Sequence, residues 1–182
     1  MNRELGNLKL LSQKKQTTNQ ELTDEAISLG CTKAKVIHTK TILLGSWNKI
    51  QCQYGCQNYG KRFTCPPCSP TVDEMSRILL DYHKAMIIQS ANTKEIREIG
   101  VKLETSFKGK GFHKAFALSA APCDLCETCT LEIGCAYPTK ARPSLHACGI
   151  DVIQTIFNNG WSLASDMQTC SETLPIGMVL IN

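Results

Sequence analysis

Short apolar runs alternate with longer amphipathic segments along this 182-residue chain. Runs rich in β-branched and other apolar residues predict strands, and 33–44 reads as one strand or a hairpin. The predicted strands are 33–44, 85–88, 115–118 and 176–181. Apolar positions three or four residues apart predict helices. The predicted helices are 21–30, 72–82, 93–107 and 144–158.

This alternation of short strands and helices indicates an α/β fold. We predict a single domain with a central mixed sheet flanked by helices and two cysteine-rich metal-binding loops. Residues 1–20 are rich in Gln, Thr, Asn and Lys, which predicts a flexible N-terminal segment. The α/β iron–sulfur domain would then span 21–182.

The composition of the chain excludes several classes of function. Hydrophobic residues are 42% and charged residues 20% of the chain, an ordinary globular balance. The net charge is only +4 and the aromatic content 6%, without a dense Lys/Arg run, so we expect no nucleic-acid partner. No apolar stretch reaches the roughly 18 residues that span a bilayer, and the N-terminus lacks an apolar signal core. These features predict a cytoplasmic protein without a membrane partner.

The 11 cysteines are the main chemical feature. Disulfide scaffolds are typical of short secreted chains, whereas the cytoplasm keeps thiols reduced. Many cysteines in a reducing compartment indicate metal ligands or redox groups.

The second cysteine-rich loop has the sequence CDLCETCTLEIGCAYP and contains Cys123, Cys126, Cys129 and Cys135. Its Cys-x2-Cys-x2-Cys spacing resembles the run that holds [4Fe–4S] clusters in bacterial ferredoxins, although the fourth cysteine lies farther away and no proline follows it directly. In two-cluster ferredoxins the last cysteine of the run serves the other cluster. A structural zinc site is the alternative, but zinc ribbons use two separated Cys-x2-Cys pairs.

The first cysteine-rich loop has the sequence CQYGCQNYGKRFTCPPCSP and no helical periodicity. It contains Cys52, Cys56, Cys65 and Cys68. The neighbouring cations Lys61 and Arg62 would raise the potential of a bound cluster. The CPPC segment precedes a predicted helix, so a redox dithiol is the alternative to metal ligation.

Three cysteines lie outside these two loops. Cys31 and Cys170 are predicted to be small buried hydrophobic residues. Cys148 lies 13 residues after Cys135 and could complete either cluster. Two fully cysteine-ligated cubanes need about eight thiolates, and nine candidates are present, so Cys68 and Cys148 compete for one position. His146 is a further candidate beside Cys148.

Three blocks, GCQNYGKRFTCPPCSPT, CDLCETC and ARPSLHACGIDV, resemble a family of predicted metal-binding proteins common in strict anaerobes and methanogens. The resemblance runs from Cys52 to the C-terminus and implies metal or iron–sulfur binding. It implies Cys148 rather than Cys68 as the eighth ligand, and it places His146 where the family usually has an acidic residue. The ligands it implies are Cys52, Cys56, Cys65, Cys123, Cys126, Cys129, Cys135 and Cys148.

Three functions follow from these observations. The first is a carrier with two [4Fe–4S] clusters that exchanges single electrons with a redox partner protein, for which a mild positive charge favours an acidic partner. The second is an iron–sulfur enzyme with an open iron, in which His146, Lys61 and Arg142 are candidate acid or anion-binding groups. The third is a zinc-stabilised binding module. The oligomeric state does not follow from the sequence.

Overall fold

A computed structural model of the protein describes residues 17–162 and 174–182. Five α-helices and four strands occur in these ranges. The helices are α1 (Asn19–Ser28), α2 (Trp47–Gly55), α3 (Val72–Leu80), α4 (Thr93–Gly109) and α5 (Val152–Asn158). The strands are β1 (Lys33–His38), β2 (Lys84–Gln89), β3 (Phe116–Leu118) and β4 (Ile176–Leu180). Short 3-10 turns cover Thr39–Thr41 and His146–Cys148.

Polar side chains fix where the helices begin. The Thr71 hydroxyl accepts from the Glu74 N–H, and the Glu74 carboxylate accepts from the Thr71 N–H. This capping box satisfies donors that the first turn of α3 leaves unpaired. Thr18 and Glu21 form the same motif before α1, and Asn92 caps α4.

The strands form one sheet in the order β1-β2-β4-β3, and every neighbouring pair is antiparallel. The α/β single domain is therefore confirmed, but the predicted mixed character of the sheet is wrong for these four strands. The last strand, β4, lies between β2 and β3, which therefore run in the same direction. Every residue of β4 is buried, because helices or loops cover both faces of this central strand.

One face of the sheet is covered by α1 and α4. Ile96, Leu103 and Phe107 of α4 pack with Met86 and Val179 of the sheet. A glycine is required at position 177 of β4, where a Cβ would collide with the side chain of Ile96. Close contact between α4 and the sheet therefore depends on that glycine.

The opposite face carries α3, α5 and the linking segment 143–150, which touches both cysteine-rich loops. Leu145 and Ile150 of this segment pack with Ile87 and Met178 of the sheet. An isolated parallel bridge joins Ser144 to Ser119, the residue after β3. The second loop therefore leaves the end of β3 and returns beside it.

The first loop is tied to the same segment at both of its ends. Leu44 forms an antiparallel bridge with Ile150, and the Gly45 N–H donates to the Gly149 carbonyl at 2.8 Å. Beyond the loop, the Ser69 hydroxyl donates to the Ala147 carbonyl at 2.8 Å. The linking segment thus places both cysteine-rich loops on one side of the domain.

Two predicted elements are shorter than expected. The predicted helix 144–158 is divided, because Gly149 has a φ of 75° in the left-handed region and ends the turn before α5 begins. The predicted strand or hairpin 33–44 is the strand β1 followed by a 3-10 turn, with Leu44 in an isolated bridge.

Some predictions fall outside the described residues. These are Cys170 and most of the flexible segment 1–20, of which only the last four residues are described. Among residues 17–162 and 174–182, no helix is both long and apolar enough to cross a membrane.

Candidate metal centre

The first cysteine-rich loop begins inside a helix. Cys52 lies on the buried side of α2, and Cys56 is the residue at which the helix ends. The prediction that this loop has no helical structure is therefore wrong for its first part. Tertiary contact stabilises α2: Asn48 is buried on the same side and its amide donates to the Ile150 carbonyl at 3.0 Å.

Three thiols of this loop are close enough to influence one another. Burial raises the pKa of Cys52, and the charge of Cys56 raises it further. Burial raises the pKa of Cys65 to about 11, against a hydrogen bond from Thr64, and the charges of Cys56 and Cys52 add to the increase. Such mutual repulsion between thiolates is relieved when they bind a cation or a cluster.

The CPPC segment forms a tight turn after these thiols. The N–H groups of Cys68 and Ser69 both donate to the Cys65 carbonyl, at 2.9 and 3.0 Å. The Cys68 side chain is exposed. A redox dithiol gains a lowered pKa from an adjacent helix N-terminus, whereas α3 begins only at Val72 and burial raises the pKa of Cys65.

The second cysteine-rich loop encloses a small cavity of about 70 Å³. All four of its cysteines line this cavity, and each is partly exposed. The four are Cys123, Cys126, Cys129 and Cys135. The grouping suggested by the spacing is therefore present in three dimensions.

Arg62 and Thr64 join the two loops. Arg62 belongs to the first loop but lines the cavity of the second, where its guanidinium donates to the Cys126 carbonyl at 2.9 Å and the Glu127 carbonyl at 3.4 Å. The Cys123 N–H donates to the Thr64 hydroxyl at 3.4 Å. One cation therefore lies beside both groups of thiols.

Two ion pairs hold the second loop against the rest of the domain. Arg97 of α4 pairs with Asp124, which lies between the first two cysteines of the loop. Farther along, the Arg142 guanidinium donates to both carboxylate oxygens of Glu104 in α4, at 2.7 and 2.9 Å. Burial opposes ionisation of Glu104, but bonds from Arg142, Lys108 and the β3 backbone outweigh it and lower its pKa.

Sequence reasoning missed Arg97, Glu104 and Thr64. Glu104 lies eight residues after Ile96, on the apolar side of the α4 pattern. A carboxylate on the apolar side of a helix needs a buried partner. Its position in the sequence could therefore have indicated a buried ion pair. Thr64 carries no comparable signal, because its role depends on contact with a distant loop.

A second depression of about 200 Å³ adjoins the first cavity. It brings Cys68 of the first loop and Cys135 of the second loop to one space. Its other walls are mainly proline, alanine and phenylalanine side chains. The two loops therefore share a boundary that contains one thiol from each.

Cys148 lies apart from these groups. It is completely buried, packs with Met75, Leu145 and Ile150, and burial raises its pKa to about 12. Cys31 is also buried, as predicted, in the core beneath α1 and α4, and its pKa is raised to about 11. These environments resemble those of inert core thiols.

The other candidate polar groups have different surroundings. His146 is half-buried, its ring meets that of Trp47 edge-on at 5.8 Å, and burial lowers its pKa. Arg142 is fully engaged by Glu104 and backbone carbonyls, so it is not available to bind an anion. Lys61 is exposed.

The candidate donors are thiols, the ligand type that both iron–sulfur clusters and structural zinc sites use. Within 17–162 and 174–182, no three His, Cys, Asp or Glu side chains surround one point closely enough to hold a single metal ion. In a structural zinc site every sulfur lies about 2.3 Å from the same ion, so the sulfurs are close together. In a [4Fe–4S] cubane each thiolate binds a different iron, so the sulfurs lie farther apart.

These features define a cysteine-rich α/β protein with two adjacent thiol sites. A sequence model of the family DUF2284, described as "Predicted metal-binding protein", matches residues 35–181. The chain belongs to this family, which confirms the resemblance to predicted metal-binding proteins. No curated protein and no solved structure matches the chain.

Proposed function

We propose that this protein binds two [4Fe–4S] clusters and transfers single electrons to a redox partner in the anaerobic cytoplasm. The observation that carries the proposal is the cavity lined by all four cysteines of the second loop. Three thiols of the first loop affect one another's pKa, and Thr64, the residue before one of them, lines the same cavity. A bound [4Fe–4S] cluster supplies one-electron chemistry at a potential set by its surroundings.

Each loop supplies four thiolates in this proposal. We assign Cys68 rather than Cys148 to the first site, because Cys68 follows Cys65 within one turn, whereas Cys148 lies in the apolar core. This assignment departs from the one that the family resemblance implied. The two sets are Cys52, Cys56, Cys65 and Cys68, and Cys123, Cys126, Cys129 and Cys135.

Other residues of the chain position and tune the thiolates. Arg62 holds the second loop through the Cys126 carbonyl and places a positive charge beside both sites. Thr64 donates to the Cys65 sulfur and accepts from the Cys123 N–H. Hydrogen bonds and positive charge near thiolate sulfur raise a cluster's potential.

The test is metal and acid-labile sulfide analysis of protein purified without oxygen. We expect about eight irons and about eight sulfides per chain, with broad absorption near ~400 nm that bleaches on reduction. Colourless protein containing zinc and no labile sulfide would contradict the proposal and support the zinc-stabilised module.

A second candidate, an iron–sulfur enzyme, is favoured by one observation. The depression between Cys68 and Cys135 would admit a small molecule to the boundary of the two sites. If Cys68 does not bind iron, the first cluster would retain an open position as catalytic metal sites do. Adding sulfide or small thiols would then change the electron paramagnetic resonance spectrum of the reduced protein, whereas a carrier with eight thiolate ligands would show no change.

A further inference from the structure

We propose that the exposed side of α2 is the docking surface for an acidic redox protein that exchanges electrons with the first thiol site. This inference rests on the proposed function and adds where the partner binds and which charge it carries. It comes from three observations: an apolar stripe on α2, the position of Cys52 on the other side of that helix, and the distribution of charge in the sequence.

The apolar stripe consists of Trp47, Ile50 and Tyr54. Their exposed fractions are 45%, 62% and 80%. Spacings of three and four residues place them in one row along the helix. A row of three large exposed side chains that includes two aromatics is typical of the centre of a protein interface.

The stripe lies directly over the first thiol site. Asn48 and Cys52 occupy the buried side of the same helix, and Cys56 ends it. A helix is about 10–12 Å across with its side chains, so a protein seated on the stripe would come within about that distance of the Cys52 sulfur. Tyr54 lies between Cys52 and Cys56 in the sequence and is the most exposed of the three residues.

The segment of chain that carries the stripe has charge of one sign, although Asp151 of another segment lies close to His146, which contacts Trp47. No acidic residue occurs between Glu25 and Asp73, whereas this stretch contains six basic residues. Lys40, Lys49 and Lys61 are exposed and form no salt bridge with any described residue. The six basic residues are Lys33, Lys35, Lys40, Lys49, Lys61 and Arg62.

This charge distribution selects the kind of partner. A second copy docking through the same surface in a symmetric dimer would bring its own lysines against these lysines, which is unfavourable. A negatively charged protein gains both attraction at long range and apolar contact at the centre. The exchange itself is one electron, with the partner's centre oxidised by one electron as the cluster is reduced, and no bond is formed or broken.

The experiment uses the anaerobic holoprotein and, as a probe, a negatively charged plant-type [2Fe–2S] ferredoxin. Calorimetry measures the dissociation constant, and stopped-flow absorption measures the rate at which the reduced probe reduces the protein. We expect the dissociation constant to rise several-fold from low salt to about 0.3 M salt, because salt screens attraction between exposed charges.

Two variants test the surface itself. Lys49→Glu is expected to weaken binding several-fold at low salt and to reduce the salt dependence. The double variant Ile50→Ser/Tyr54→Ser is expected to raise the dissociation constant about tenfold at all salt concentrations. The matched controls are Lys102→Glu on α4 and Leu80→Ser on α3, which alter an exposed lysine and an apolar side chain 80% exposed elsewhere.

Reduction by titanium(III) citrate distinguishes a failure of the docking surface from a failure of the proposed electron-transfer function. If this small reductant reduces every variant equally while the two surface variants lose probe binding, the docking surface is supported. If the small reductant works but the surface variants bind like the controls, the docking surface is wrong and electron transfer stands. Failure of the wild-type clusters to accept an electron from titanium overturns the proposed function. Self-association abolished by the double variant would assign the stripe to a second copy instead.

Discussion

The two cysteine-rich loops present the same donor atom in opposite electrostatic surroundings. From Cys52 to Cys68 the sequence has two cations and no acid, whereas from Cys123 to Cys135 it has three acids and no cation. The first loop is partly helical and buries two of its thiols, while each thiol of the second loop is partly exposed. Two loops with four cysteines each therefore do not provide two equal environments for a thiol.

The loops also differ in what holds them. The first is anchored by backbone bridges and hydrogen bonds to the linking segment 143–150. The second is anchored by ion pairs to α4, through Asp124 and through Glu104 with Arg142. Changes of charge should therefore affect the second loop first, and a change at Arg62 is expected to affect both loops because this cation contacts both.

The largest expected effect is the loss of one cluster. Cys129→Ala removes a thiol from the cavity of the second loop, so iron should fall from about eight to about four per chain. Anaerobic iron and sulfide analysis measures this. Cys31→Ala is the matched control, since Cys31 lies in the opposite core and should leave the iron content unchanged. Equal iron in both variants would remove the second loop from the ligand set.

The next comparison tests whether Cys68 or Cys148 is the eighth cluster ligand. Cys68→Ser should lose iron from the first site and alter its paramagnetic spectrum, because Cys68 completes the turn that begins at Cys65. Cys148→Ser should retain its iron and lower the free energy of unfolding, because a hydroxyl replaces a thiol in an apolar core. The reverse result would assign the position to Cys148, as the family resemblance implies.

A smaller effect concerns the ion pair below the second loop. Glu104→Gln leaves the buried Arg142 guanidinium without its counter-charge, which costs about 3–5 kcal/mol of the free energy of unfolding. Anaerobic urea unfolding measures it. Glu98→Gln on the same helix changes a largely exposed carboxylate and should cost less than about 1 kcal/mol. Similar midpoints for the two variants would show that the buried pair does not stabilise the fold.

The smallest effect is a shift in reduction potential. We expect two potentials in the wild-type protein, the lower one from the acidic second loop. Arg62→Gln should lower both, because this cation lies beside both sites, whereas Lys61→Gln should lower chiefly the first. Redox titration followed by paramagnetic resonance measures the shifts. A shift of one potential alone in Arg62→Gln would contradict the bridging position of this residue.

Local sequence determined much of this protein. The cap at Thr71, the amphipathic pattern of α4 and the buried run of β4 act over a few residues, so helices, strands and α/β class could be predicted. The grouping of the cysteines in the second loop is equally local, because a Cys-x2-Cys-x2-Cys spacing confines its thiols to a short segment of chain. The family resemblance, which rests on three short blocks of sequence, is confirmed by the match to a family of predicted metal-binding proteins.

Tertiary structure decided the rest. Strand order depends on β4 entering the centre of the sheet, where it pairs with β2 and β3 and Gly177 packs closely against α4. The helical start of the first loop depends on Asn48 reaching the Ile150 carbonyl, 102 residues away. Contacts between distant segments likewise place the two loops side by side, put Arg62 between them and bury Cys148. These contacts form only in the folded chain, so the local sequence does not reveal them.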